Sequence, residues 1–116
     1  MTDSAKIDVT RYELDANEVV ISKEETDTTK TYTAFIKHNF SASATYTDPI
    51  TLSMGEVTTG KALVFTSDVA LSVKLAPATA AFEDTKMIVA DMDFTGVEVT
   101  NDSGEDATIK ADIYGE

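Results

Sequence analysis

The sequence predicts an all-β fold, namely a single-domain antiparallel β-sandwich or barrel of the jelly-roll or immunoglobulin-like kind, with at most one helical turn. Three observations predict it. Apolar residues recur at every second position in several segments, which is the period of a strand with one face in a core. Threonine, which is branched at Cβ and favours strands, is abundant. Turn signals separate the segments about every 8–12 residues.

The second half of the chain contains the clearest strands. Val69, Leu71, Val73 and Leu75 alternate with small or polar residues, which predicts one face in the core. The final strand alternates in the same way, with Ala107, Ile109, Ala111 and Ile113 facing inward. Val97 and Val99 predict another buried face, and Gly96 before them indicates a bulge.

The remaining segments predict shorter elements. Ile7 and Val9 open a first strand. Six further candidates are Val19–Ile21, Tyr32–Ile36, Ser43–Thr47, Ile50–Met54, Ala62–Thr66 and Met87–Ala90. The charged segment KEETDTTK, residues 23–30, is typical of a polar loop, and Asp48-Pro49 and Ser103-Gly104 indicate turns. A helical turn fits only between Ala78 and Phe82.

The length of 116 residues corresponds to one domain, residues 1–116, with one modest core. No linker, repeat or low-complexity tail divides it. Residues 1–14 fit two interpretations: an N-terminal arm that pairs with a neighbour's sheet edge, or the first strand of the protein's own sheet. The residues leave both open.

The net charge of −12 limits the classes of molecule that the protein can bind. Phosphate backbones and anionic membrane surfaces repel such a chain, so we expect no nucleic-acid partner and no membrane partner. Cysteine is absent, which rules out disulfides, thiolate nucleophiles and cysteine zinc sites. The N-terminus lacks a basic start and an apolar run, so we expect no signal peptide and synthesis in a host cytoplasm.

The segment GEVTTGKA, residues 55–62, contains most of a phosphate-binding P-loop. Ala62 stands where that loop needs a magnesium-binding hydroxyl. The following residues alternate like a strand, whereas a P-loop needs a helix there. We therefore interpret the segment as a turn between two antiparallel strands, in which Gly55 and Gly60 serve the turn geometry.

Asp91, Asp93, Thr95 and Gly96, followed by Asp102, match part of a calcium-loop spacing. An EF-hand places helices on both sides, but the flanks MIVA and VEVT read as strands. We interpret the segment as an acidic strand edge and turn, and assign no metal or cofactor site. Whether a surface calcium binds near Asp91 and Asp93, or on residues 101–106, stays open.

No catalytic residue is assigned, and the expectation is that the protein is not an enzyme. His38 is the single histidine and is expected on a solvent face or strand end. The paired carboxylates Glu24-Glu25, Glu83-Asp84 and Glu105-Asp106 are adjacent, so on a strand they would point to opposite faces.

Two segments in the second half of the chain carry a family resemblance: GKALVFTSDVALSVKLAP, residues 60–77, and MIVADMDFTGVEVTNDSGEDATIKADIYG, residues 87–115. Through them the second half of the chain resembles small β-rich accessory proteins of tailed-phage virions. These include capsid decoration and head-fibre proteins. The resemblance implies a structural protein on the outer capsid surface, commonly a trimer, that clamps neighbouring capsomers. It implies the major capsid protein or other virion proteins as partners, beside copies of the chain itself. It carries over no functional residue, because such proteins act through surfaces.

Two alternatives stay open beside a decoration protein. The first is another virion component, such as a tail-tube, neck or fibre-base protein. The second is a carbohydrate- or receptor-binding β-sandwich assisted by calcium at Asp91 and Asp93.

Overall fold

The computed structural model describes residues 3–116, and all of its regular structure is β. The eight strands are β1 (Asp3–Leu14), β2 (Val20–Tyr32), β3 (Ala34–Ala42), β4 (Ile50–Thr51), β5 (Gly60–Ala76), β6 (Phe82–Ala90), β7 (Gly96–Thr100) and β8 (Ala107–Gly115). Every pairing between them is antiparallel. The all-β antiparallel prediction is therefore confirmed.

The strands form two sheets. β1 and β2 make a two-stranded hairpin, and the other six form one sheet in the order β3-β8-β5-β7-β4, with β6 also paired to β5. This second sheet curls into a half-barrel, which we call the body. Its interior holds the alternating residues expected from the sequence, including Leu71, Val73, Ile109 and Ile113, all fully buried.

β5 organises the body because its 17 residues pair with three other strands. Residues 60–67 pair with β8, residues 72–76 pair with β7, and β6 pairs with both parts. The pairing with β6 is irregular between Thr66 and Leu71, where β5 bends. The Asp68 carboxylate accepts the backbone N–H of Thr108 at 2.8 Å beside this bend. Thus Asp68 continues the link between β5 and β8 just beyond their last paired residues, Ser67 and Ile109.

Asn101 is the one buried polar residue in residues 3–116, and it joins three segments. Its Nδ2 donates to the carbonyls of Ala42 and Ser43 at 3.2 Å and of Glu105 at 2.8 Å. Its Oδ1 accepts from the N–H and the hydroxyl of Ser103 at 3.2 and 2.7 Å. The side chain therefore fastens the β7–β8 turn to the end of β3. The sequence analysis did not identify it.

Several expected boundaries are wrong. Residues 23–30, expected to be a loop, lie inside β2 together with Val20 and Ile21. Ala62–Thr66 and the strand at Val69–Leu75 are a single strand, β5. Ser43–Thr47 contains no strand, because β3 ends at Ala42 and a turn follows in which Tyr46 donates to Ser43.

The other corrections are smaller. Ile50–Met54 contains strand only at Ile50–Thr51, and Tyr32–Ile36 is split by Thr33 between β2 and β3. The helical turn at Ala78–Phe82 does not form, since Ala78 donates to Leu75 in a turn and Phe82 already begins β6. Gly96 starts β7 opposite Ala76 in regular register rather than marking a bulge.

Candidate interaction surface

The β1–β2 hairpin projects from the body. Its register runs from Asp3 opposite Tyr32 to Leu14 opposite Val20, and within residues 3–116 β1 pairs with no other strand. Twelve residues of extended chain span about 40 Å. The radius of gyration is 15.5 Å, whereas a compact chain of this length has about 13 Å. The hairpin is thus an arm on a compact base.

An aromatic cluster fixes the base of the arm. The ring of Tyr32, at the end of β2, lies 5.1 Å from Tyr114 and 6.0 Å from Phe35, and Phe35 stacks on Tyr114 at 4.9 Å. Lys30 forms an ion pair with Asp91 at 2.6 Å beside this cluster. Burial, followed by the charge of Asp112, raises the pKa of the Tyr114 hydroxyl. The arm therefore leaves the body from a fixed position.

A tight turn closes the far end of the arm. The Asp15 carboxylate accepts the backbone N–H groups of Asn17 and Val19 at 2.8 and 3.0 Å. Glu18 adopts a φ of 62°, in the left-handed region that this turn requires. The turn is thus defined by side-chain hydrogen bonds to the backbone and does not rely on glycine.

The end of the arm exposes apolar side chains to water. Five residues near the turn are each more than half exposed: Tyr12, Leu14, Val19, Val20 and Ile21. We call these five the tip. Exposed apolar side chains that are concentrated at one place on a surface often belong to an interaction site, so the tip is a candidate for one. The sequence signal was Val19–Ile21, which predicts a short strand but does not indicate that its side chains are exposed.

The part of the arm between the tip and the body carries charged side chains, unlike the apolar tip. Ion pairs join Arg11 to Glu24, Lys23 to Glu25 at 2.9 Å, and Lys6 to Asp27 at 3.8 Å. A two-stranded hairpin with few contacts to a core is at best marginally stable in water. Both of its outer edges also present free backbone groups for pairing. The arm therefore has the properties of a segment that another molecule covers in the assembled state.

GEVTTGKA leads into a strand, as expected, because β5 begins at Gly60. The expectation that it is a turn between two antiparallel strands is wrong, because β4 and β5 both pair antiparallel with β7 and therefore run in the same direction on either side of it. Gly55 has a φ of +56°, which fits a turn role. Gly60 has a different role: a Cβ there would lie 2.3 Å from the buried ring of Phe94. Gly60 is needed for close packing, not for turn geometry as expected.

The residues of the calcium-like spacing do not converge. The Asp91 carboxylate binds Lys30, the Asp93 carboxylate binds Lys61 at 3.1 Å, and Asp102 accepts from the Ser72 hydroxyl at 2.7 Å. Hydrogen bonding to Asp93 is the main cause that raises the pKa of Lys61. No cluster of three or more acidic or histidine side chains suited to a metal occurs in residues 3–116.

His38 lies on the inward side of β3 and is half-buried, contrary to the expected solvent face. Its Nε2 is 2.7 Å from the carbonyl oxygen of Ser53, so it links β3 to the segment after β4. Of the adjacent carboxylate pairs, Glu24 and Glu25 lie on opposite faces of β2, each with its own cation. Glu83-Asp84 and Glu105-Asp106 lie at the start of β6 and just before β8.

Comparison with protein-family models, with curated proteins and with solved structures gave no match for this chain. Within residues 3–116 no helix is long and apolar enough to cross a membrane.

Proposed function

We propose that this protein is a non-enzymatic structural component of a virus particle, a capsid decoration protein that binds the outer shell and stabilises neighbouring capsomers. The observation that carries the proposal is the projecting β1–β2 arm with its exposed apolar tip. A protein that cements a shell needs a rigid body and a surface that reaches an adjacent subunit. The body and the arm fit these two requirements.

Two further features support this assignment. The second-half segments that resemble phage accessory proteins lie in β5 to β8, which form most of the body. The net charge of −12 suits a position outside the shell, because a surface in contact with packaged DNA would be repelled. The proposal includes self-association, with a trimer expected, and the major capsid protein as partner.

Co-sedimentation with empty shells assembled from the major capsid protein of the same particle tests the proposal. We expect the purified protein to sediment with the shells at saturation and to raise their melting temperature. Light scattering on the free protein gives its oligomeric mass. A monomer with no affinity for the shells would contradict the proposal.

A tail-tube, neck or fibre-base subunit is the second candidate, and the geometry of the arm favours it. An arm that leaves one side of a body suits head-to-tail contacts, which produce rings or filaments. Electron microscopy of the concentrated protein separates the two candidates. Rings or tubes without shells would favour this one, and discrete particles that bind shells would favour decoration.

A further inference from the structure

The register of the hairpin determines which side chains share a face. Opposite residues in an antiparallel ladder point to the same side, and successive residues alternate. Three opposite pairs therefore share one face: Tyr12 with Lys23, Thr10 with Glu25, and Asp8 with Asp27. The register shifts after Glu13, and beyond this shift Leu14, two residues along the strand from Tyr12, lies opposite Val20. We call these eight residues the docking face. Lys23 lies 6.0 Å from the centre of the Tyr12 ring, in agreement with this placement.

The docking face is divided into two zones along the arm. Near the turn, Tyr12, Leu14 and Val20 expose about half of their surfaces. Toward the body the same face carries the carboxylates of Asp8, Glu25 and Asp27. An apolar zone thus adjoins an acidic zone on one side of an arm that only its base fixes to the body.

The acidic zone carries three carboxylates and two cations. Glu25 pairs with Lys23 at 2.9 Å, whereas Asp8 and Asp27 share Lys6, which lies on the same face opposite Thr29. Asp8 and Asp27 are directly opposite, an arrangement that destabilises a ladder when both are charged. Lys6 is the nearest cation and lies 3.8 Å from each carboxylate. Hydrogen bonding between the two carboxyl groups is the main cause that raises the pKa of Asp8, followed by burial and the charge of Asp27. A further cation from outside would relieve this repulsion.

We propose that the docking face binds a protein surface on which an apolar pocket adjoins a lysine or arginine side chain that pairs with Asp8 and Asp27. The inference deepens the proposed function, and rests on it for the identity of the partner only. A second copy of this chain fits the face poorly, because the chain carries a net charge of −12. The exposed apolar side chains of β6, Phe82, Met87 and Val89, lie in a segment with three carboxylates and one cation, namely Glu83, Asp84, Asp91 and Lys86.

A synthetic peptide with the same two-zone layout tests the proposal without shells. It is extended, with leucine at alternate positions of its first half, lysine at alternate positions of its second half, and threonine between. The control peptide has the same composition, with the leucines and lysines interleaved. Binding to the full-length protein is measured by calorimetry at low and at high salt. We expect the first peptide to bind at least about tenfold more tightly than the control, and to weaken as salt rises.

Two matched pairs of variants locate the binding. Asp27→Asn should weaken binding about fivefold to tenfold, whereas Glu24→Gln removes the same charge from the opposite face and should leave binding unchanged. Val20→Ser should weaken binding by a similar factor, whereas Met87→Ser on the body should not. Asp27→Asn removes the repulsion between Asp8 and Asp27, so we expect it to leave the arm folded. The comparison with Glu24→Gln therefore tests the docking face even if Val20→Ser unfolds the arm.

Three results would overturn the inference. Equal binding of the two peptides would show attraction to net charge alone. Equal losses in Asp27→Asn and Glu24→Gln would exclude this face. An oligomer of the free protein that Val20→Ser dissociates would place a second copy on it. Shell binding that persists in spite of any of these results would leave the proposed function standing and reject only this face.

Discussion

Replacing Asn101 with alanine tests whether one buried amide holds the β7–β8 turn and the end of β3 together. The fully buried side chain makes five hydrogen-bond contacts through two N–H groups and one oxygen. Alanine removes all of them and leaves the carbonyls of Ala42, Ser43 and Glu105 without this donor. The turn would then be attached by fewer contacts.

The expected cost follows from the number of bonds. Two N–H groups and two oxygen lone pairs make about four hydrogen bonds, each with a net value near 1 kcal/mol. Water can reach some of the freed groups, because Ser43 and Glu105 lie at the surface. We therefore expect Asn101→Ala to lower the free energy of unfolding by about 3 kcal/mol. This is a large part of the 5–15 kcal/mol typical of a domain.

Urea unfolding followed by circular dichroism measures this loss. With a slope of about 1.5 kcal/mol per M, the midpoint should fall by about 2 M. Ser103→Ala, which keeps Asn101 but removes the hydroxyl bonded to its oxygen, should cost about 1 kcal/mol. Asn39→Ala, at an exposed position of β3, should change the stability by less than about 0.5 kcal/mol. A loss for Asn101→Ala no larger than that for Asn39→Ala would refute the reasoning.

Three other predictions concern the body, the arm and calcium. Gly60→Ala should cost about 3 kcal/mol in urea unfolding, because its Cβ would overlap a buried ring, whereas Gly96→Ala has only an ordinary 3.5 Å contact and should be close to neutral. The pKa of Asp8 is raised in the folded protein, so its protonated form stabilises the fold at acidic pH, and this contribution is lost as pH rises through the folded pKa. Asp8→Asn should therefore gain stability relative to wild type between pH 3.8 and neutrality. A difference in unfolding free energy that stays constant across that range would contradict this. Calcium should leave the melting temperature unchanged, because Asp91 and Asp93 bind different lysines; a rise of several degrees in a thermal scan would contradict it.

The main strands of the body could be predicted from the sequence because each of them buries one face. Val73 and Val99, and Ile109 and Ile113, are fully buried at the alternating positions expected of them. For the P-loop-like segment the sequence correctly indicated that a strand follows Gly60, but not that the segment connects two strands running in the same direction on either side of β7. The role of Gly60 was not predicted, because it depends on the position of the Phe94 ring, which is distant in sequence.

The arm could not be predicted, because its strands are not stabilised by a core. KEETDTTK has no apolar period, so its strand conformation depends on backbone pairing with β1. An exposed ion pair such as Arg11 with Glu24 contributes little to it. Its threonines favour a strand, but its charged residues are typical of a polar loop, and the loop was predicted. The exposure of Leu14, Val20 and Ile21 depends on the arm projecting from the body, which no local pattern encodes.

Shell co-sedimentation of wild type beside a tip variant tests the central claim most directly. The variant Leu14→Ser/Val20→Ser changes two exposed residues at the end of the arm, and Met87→Ser is the control on the body. All three proteins should unfold at closely similar urea midpoints. We expect wild type and Met87→Ser to bind the shells and the tip variant to fail to bind. Full binding by the tip variant would contradict the role of the arm, and no binding by wild type would contradict the proposed function itself.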